Sequence, residues 1–258
     1  MIDKDSLFAQ GGYGQPYQNE KDYIEEMFLS GIFNSLDSVV FKGGTSISKF
    51  YGSVRFSDDL DFSFVQDKAQ QNIEGVLEKV IHNLSDEYPI RIMRKTNSAE
   101  MLTHELSIRG PLFETLGKYQ HLKIEIDKKA SVIETVGRFR RDPKYYDLKP
   151  YLALVMNEKE ILAEKVVALL FRRNLKARDL YDIYYLVGRN VEIRLSLVDR
   201  KMKGYGHTFS SERLHMRLGD ISKIWEKELR RLLPSKDFVD YEIVKEAVIA
   251  SFAKASLI

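Results

Sequence analysis

Cysteine is absent from all 258 residues, which removes disulfides, thiolate zinc sites, iron–sulfur clusters and a cysteine nucleophile at once. Proline is scarce, with six in all, and neither it nor the fifteen glycines gather into a linker or low-complexity tract. No run reaches the ~18 consecutive apolar residues of a membrane span. The opening MIDKDSLFAQGGYGQ has no apolar signal core, so a cytoplasmic protein with no membrane partner is expected. The P-loop pattern GxxxxGK[ST] and the dinucleotide fingerprint are missing. His82, His104, His121, His207 and His215 stand at no metal-ligand spacing. What chemistry remains must use oxygen and nitrogen ligands.

A strong excess of one charge is also lacking. The chain carries 40 Lys+Arg against 38 Asp+Glu, net +2, divided into −3 for residues 1–150 and +5 for residues 151–258. That bias suits phosphate contacts but is milder than in dedicated nucleic-acid modules. A hydrophobic fraction of 44% over this length supports one large domain or two modest ones, each with its own core.

Periodicity sets the order of elements. Tyr23, Ile24, Met27, Phe28, Ile32 and Phe33 predict a helix over 20–36. Ser38 to Lys42 (SVVFK) predicts a short strand that stops at Gly43-Gly44, and TSISKFYG a helix capped by Thr45. DLDFSF (59–64) alternates, so Leu60, Phe62 and Phe64 share one strand face and Asp59, Asp61 and Ser63 the other. A helix over 68–85 follows, then strands IRIMRK (90–95), HELSIRG (104–110) and HLKIEID (121–127). After the short apolar run YLALVM the pattern is helical, over 158–173, 178–187, 212–233 and 241 to the end. The expected architecture is α/β (α+β): a mixed-sheet domain over 1–155 and a helical domain over 156–258.

The densest signal is FKGGTS (41–46) followed by SDDLDF (57–62). Two glycines after a strand let the backbone approach an anion, and the helix they open aims its free amides at the same place. Asp59 and Asp61 project from one strand face, a hard-oxygen pair suited to magnesium or manganese bridging to substrate phosphates. Either feature alone is common; joined, they are specific. In HLKIEID, Ile124 and Ile126 face the core, which leaves Lys123, Glu125 and Asp127 on the open face. The four-residue run RFRR (138–141), read as a polar loop, is a candidate for touching RNA, and Tyr181, Tyr184 and Tyr185 are read as packing.

These residues resemble the nucleotidyltransferase-fold superfamily typified by DNA polymerase beta, whose signature is Gly-Gly or Gly-Ser, about a dozen residues, then Asp-x-Asp or Asp-x-Glu. More narrowly, KGGTSISKFYGSVRFSDDLDF is similar to the AbiEii/AbiGii-type abortive-infection toxin family, with Arg55 and Ser57 at its Arg-x-Ser element. A second block, ILAEKVVALLFRRNLKARDLYDIYYL (161–186), is similar to that family's lysine-bearing helix followed by an Arg-Asp-x-x-Asp helix. The resemblance implies transfer of a nucleoside monophosphate from a nucleoside triphosphate to an acceptor hydroxyl. Asp59, Asp61 and a third carboxylate, Glu125 with Asp127 as its rival, would hold Mg2+ or Mn2+. Lys42, Gly43, Gly44, Thr45, Arg55, Ser57 and Arg172 would bind the nucleotide, and Lys165 and Asp179 would complete the catalytic set. Lys165, Arg172 and Lys176 share one helix face if the helix runs that far. Arg55 binds triphosphate or pairs with Asp58, and Asp182 is read as mainly structural. The resemblance further implies a toxin with an RNA acceptor, tRNA in particular, and a cognate antitoxin protein. A small-molecule or protein acceptor and a non-catalytic nucleotide-binding module are the alternatives.

Overall fold

A computed structural model of the chain describes residues 2–64, 72–129 and 132–255. They form two compact units, one of residues 1–46 and 58–155 and one of residues 47–57 and 156–258.

The first unit contains α1 (Lys4–Gln10), α2 (Pro16–Phe33), β1 (Val39–Lys42) and the first turn of α3 (Gly43–Tyr51). It continues with β2 (Asp59–Phe64), α4 (Ile73–Ser85), β3 (Ile90–Asn97) and β4 (Met101–Ile108). The last elements are α5 (Phe113–Leu116), β5 (Gln120–Asp127), β6 (Gly137–Arg141) and β7 (Tyr151–Val155). Residues 68–71 of the helix expected over 68–85 lie outside the described residues. The seven strands make one mixed sheet in the order β3-β4-β5-β2-β1-β7-β6, parallel at β5/β2 and β1/β7 and antiparallel elsewhere.

Alternation builds the core. Phe41, Leu60, Phe62, Leu102, Leu106, Ile124 and Ile126 are buried on the sheet face that packs against α2 and α4, which supply Ile24, Phe28, Ile32, Leu77 and Val80. A Cβ on Gly31 would stand 2.8 Å from Val80 Cγ1, so the close crossing of α2 over α4 depends on that glycine. Helix α2 also buries charge, each group with its partner. Glu26 accepts from Arg141 Nη2 (2.7 Å) and Tyr151 Oη (2.8 Å), Asp22 from Tyr145 Oη (2.7 Å), and Glu20 from the Leu112 amide and Gln120 Nε2, both at 2.6 Å. Burial outweighs the two hydrogen bonds at Glu20 and leaves its pKa raised.

Two expectations are corrected here. Thr45 does not cap α3: the helix starts directly at Gly43, and the Thr45 hydroxyl donates to the Asp59 carbonyl at 2.5 Å instead, tying the first turn to β2. RFRR is no loop but most of β6, an edge strand paired antiparallel with β7, because the Arg-Phe-Arg-Arg alternation matches the pleat. Its four side chains therefore divide between the two sheet faces.

His104 on β4 is fully buried, and neither ring nitrogen has a partner. Burial, reinforced by Lys95, lowers its pKa, with Glu78 and Glu74 opposing. The folded state thus keeps the ring neutral while the unfolded chain protonates near pH 6.5. Stability present above that pH should fall as pH drops below it, since the unfolded state then binds the extra proton. His104→Leu should flatten the slope between pH 7 and pH 5 and raise stability at pH 7 by about 1 kcal/mol, because an orphaned buried polar group costs about 1–3 kcal/mol. Urea unfolding at the two pH values measures both effects.

The second unit holds α6 (Glu158–Phe171), α7 (Ala177–Gly188), α8 (Leu195–Lys203), α9 (Ser211–Ser222), α10 (Trp225–Leu229) and α11 (Tyr241–Ala255). The helix expected over 212–233 breaks before Trp225, whose buried indole donates to the Val239 carbonyl at 3.0 Å. Helix α8 was not foreseen, and residues 256–258 of the helix expected to run to the chain end lie outside the described residues. A linear division at residue 155 leaves residues 47–57 with the first unit, but their hydrogen bonds tie them to the second. Tyr51 Oη donates to the Met156 carbonyl, Tyr185 Oη to the Tyr51 carbonyl and the Phe56 amide to the Leu232 carbonyl, each at 2.8 Å. No described helix is long and apolar enough to cross a membrane.

Candidate active site

In the first unit the sheet's open face, opposite α2 and α4, gathers the carboxylates. Strand β2 lies parallel to β5, with Asp61 level with Glu125, Asp59 with Lys123 and Ser63 with Asp127. On its other side Lys42 of β1 is level with Asp61. Because every second side chain shares a face, Lys42, Asp59, Asp61, Lys123, Glu125 and Asp127 stand together, while Leu60, Phe62, Ile124 and Ile126 anchor the strands in the core.

The glycine turn is built around Asp61. Gly43 has φ +79°, and a Cβ there would lie 2.3 Å from Asp61 Oδ2, so both backbone conformation and space demand glycine. The strand passes straight into α3, whose first turn is locked by Thr45 onto Asp59 O and by Ser46 Oγ onto Gly43 O at 2.8 Å. The amides of Gly43, Gly44 and Thr45 thus open a nine-residue helix beside the aspartates.

The cations of this face register its charge. Burial works against the Lys123 ammonium, yet Glu125, Asp59 and Asp61 more than offset it and hold its pKa above the ordinary value. Lys123 Nζ sits 2.8 Å from Glu125 Oε1, and Lys42 Nζ 3.3 Å from Asp127 Oδ2. Among the described residues no group of three Asp, Glu or His side chains is drawn together closely enough to enclose a metal ion. The donor set itself fits a hard divalent cation: Asp61 and Glu125 are abreast on adjacent strands, Asp59 is one pleat away, and all offer oxygen.

The second unit contains a buried charge network. Arg55, 1% exposed, forks onto Asp182 of α7, with Nε 2.7 Å from Oδ1 and Nη2 3.0 Å from Oδ2. Lys165 of α6 lies 2.8 Å from Asp182 Oδ2 and 3.4 Å from Asp179 Oδ1, and Arg172 Nη1 lies 3.0 Å from Asp179 Oδ2. Three cations meet two carboxylates. Burial opposes the charge of Asp182, but Arg55 and Lys165 together overcome it and lower its pKa. Ser57 is buried in the same unit.

Helix α6 ends at Phe171, so Arg172 and Lys176 do not extend a helical stripe from Lys165; they flank the turn between α6 and α7 as C-cap and N-cap. Asp182, at i, i+3 from Asp179 and read as mainly structural, does hold Lys165, but the sequence did not show its second partner, because Arg55 lies 127 residues away and leaves no local trace. Tyr181 is buried as packing requires.

A mixed sheet whose central strands present an Asp-x-Asp pair beside a glycine-opened helix defines the nucleotidyltransferase class of fold. Two Helicobacter pylori crystal structures share it. JHP933 is 18% identical with a TM-score of 0.54, over 95% of this chain and 94% of that one. A protein provisionally described as a nucleotidyltransferase is 20% identical with a TM-score of 0.57, over 92% of this chain and 96% of that one. No curated protein matches the chain in sequence. The family model described as nucleotidyl transferase AbiEii toxin, type IV toxin–antitoxin system, matches residues 28–243, and the chain belongs to that family.

Proposed function

We propose that the chain transfers a nucleoside monophosphate from a nucleoside triphosphate to a hydroxyl of RNA, tRNA being the foremost acceptor, as the toxin of a pair with a cognate antitoxin. The observation that carries this reading is the placement of Asp59, Asp61 and Glu125 on one open sheet face beside the glycine turn at Gly43. Asp59 and Asp61, joined by Glu125 once it leaves Lys123, are the residues that would hold Mg2+ or Mn2+. A divalent cation bound there would lower the pKa of the acceptor hydroxyl and offset charge on the phosphates.

The chain's own groups do the rest. The amides of Gly43, Gly44 and Thr45 receive phosphate oxygens, and Lys42 keeps a positive charge on the face, next to Asp61 in register. In the second unit Lys165, its ammonium placed by Asp179 and Asp182, is the cation assigned to the pyrophosphate leaving group and Arg172 a cation assigned to the nucleotide, whereas the expected nucleotide contacts of Arg55 and Ser57 are not kept, since Arg55 is 1% exposed with its guanidinium on Asp182 and the Phe56 carbonyl, and Ser57 is buried. The acceptor oxygen forms a bond to the α-phosphorus as the bond to the bridging oxygen of pyrophosphate breaks, and the hydroxyl proton is released.

The test incubates the protein with total RNA, magnesium and each of the four α-labelled nucleoside triphosphates in turn. Label in a discrete RNA band is expected with at least one nucleotide. Label in protein or in a small molecule would replace the acceptor, and no magnesium-dependent turnover with any nucleotide would leave a binding module.

A further inference from the structure

Strand β5 sets a lysine among the carboxylates of the candidate centre. Lys123 lies one pleat before Glu125 on the same open face, and its ammonium rests 2.8 Å from Glu125 Oε1. Register gives it two further acidic neighbours, Asp59 of β2 level with it on one side and Glu105 of β4 on the other. Directly opposite residues of an antiparallel pair have Cβ atoms about 4.5–5.5 Å apart, so the flexible lysine stem can pass from Glu125 to Glu105 with the backbone at rest.

Exposure allows the movement. The side chains of Lys123, Glu125 and Glu105 are 37%, 27% and 40% exposed, so water reaches all three. Among the described residues Glu105 is paired only with the exposed Arg94 of the edge strand β3, at 3.8 Å, a surface contact of little worth. The second lysine of the face differs. Lys42 and its partner Asp127 are 3.3 Å apart and nearly buried, which fixes that pair in place and leaves Lys123 as the cation that can be displaced.

We propose that Lys123 is a displaceable counter-ion of the divalent-cation site: in the cation-free protein it occupies Glu125, and on loading it yields that carboxylate and moves to Glu105. The inference rests on the carboxylate face being the cation site of the transfer reading, and adds to it how that site is regulated. An ammonium on Glu125 takes up one ligand oxygen and sets a positive charge beside the place where a dication must sit, so Lys123 raises the concentration of free cation that the site needs. Glu105 supplies the second berth, without which the expelled ammonium would stay unpaired in the field of the dication.

The test titrates Mn2+ alone into the nucleotide-free full chain and follows the electron paramagnetic resonance signal of the free ion, with thermal melting to show that each variant is folded. Asp59→Asn should weaken binding, which places the bound ion at this face. Lys123→Gln should tighten it about tenfold, the effect of one unit charge at ~5 Å from a dication in a water-like medium. Lys123→Arg, which keeps the charge, should stay close to the parent. Glu105→Gln should loosen binding in the parent and leave it nearly unchanged in the Lys123→Gln background, because Glu105 acts through the lysine. Equal loosening in both backgrounds would overturn the relocation, since Glu105 would then act on the ion through its own charge. Unchanged affinity in Lys123→Gln, with Asp59→Asn still weakening binding, would overturn the counter-ion and leave the transfer reading standing. Tightening by Lys123→Gln in a protein that labels no acceptor would keep the counter-ion and sink the transfer reading, and no Mn2+ bound by either the parent or Lys123→Gln would overturn both.

Discussion

Asp59→Asn and Asp61→Asn should each abolish nucleotidyl transfer, by about 10³-fold or more, while leaving the melting temperature within about 3 °C of the parent. The activity loss follows from the role proposed for the pair. Removing a single preorganised charge-stabilising group typically costs ~10²–10³ in rate, and a neutral amide withdraws both a ligand and a charge. The small thermal effect follows from placement. Both side chains are half-buried on the open face, whereas the core is anchored by Leu60 and Phe62 from the same strand. A change of about 1 kcal/mol shifts melting by about 2–4 °C in a chain of this size. Gly43→Ala should fail in a different way, losing both stability and activity, since the added Cβ meets Asp61 Oδ2 at 2.3 Å in a backbone with φ +79°. Transfer retained by either aspartate variant, measured with the same labelled nucleotides, would remove the carboxylates from the mechanism.

The contrast between Asp61 and Arg55 shows which parts of this protein can be read from a sequence. Strand β2 was legible to its ends, because DLDFSF encodes two faces by alternation, and the same rule placed Glu125 and Asp127 together on β5. What alternation does not contain is register. That Glu125 rather than Asp127 is level with Asp61 depends on how β5 slides against β2, a choice made by the whole sheet. The start of α3 was misjudged for a related reason. Thr45 has the chemistry of an N-cap, but its hydroxyl is taken by a carbonyl of the neighbouring strand, and Gly43 bends the chain early enough to need no cap. RFRR was misread because three arginines in four residues suggest a loop, although Arg138 and Arg140 share one face of an edge strand and Arg141 is drawn to the other by Glu26. Local pattern thus specifies elements and faces, and partners distant in sequence decide which of those faces meet.

Asp182→Ala should give the largest loss of stability, about 3–5 kcal/mol, seen as a fall in melting temperature of about 10 °C or more. Asp182 is fully buried, and its two oxygens accept the fork of Arg55 and the ammonium of Lys165. Truncation leaves those cations in an environment that disfavours charge, and Arg55 is 1% exposed and cannot neutralise itself by losing a proton. The pH dependence has a definite sign. The folded pKa of Asp182 lies below its ordinary 3.8 because Arg55 and Lys165 overcome the cost of burial, so its contribution is complete above that pH and disappears as pH falls through the lower folded value. The parent should therefore lose stability below about pH 4 more steeply than Asp182→Ala, whose acid limb lacks this proton. Arg55→Lys should rescue little, since a point charge does not replace a planar fork. The joint replacement Arg55→Met/Asp182→Leu should cost less than either truncation alone, because it removes the desolvated charges together. Additive losses in that double-mutant cycle would show that Arg55 and Asp182 act separately.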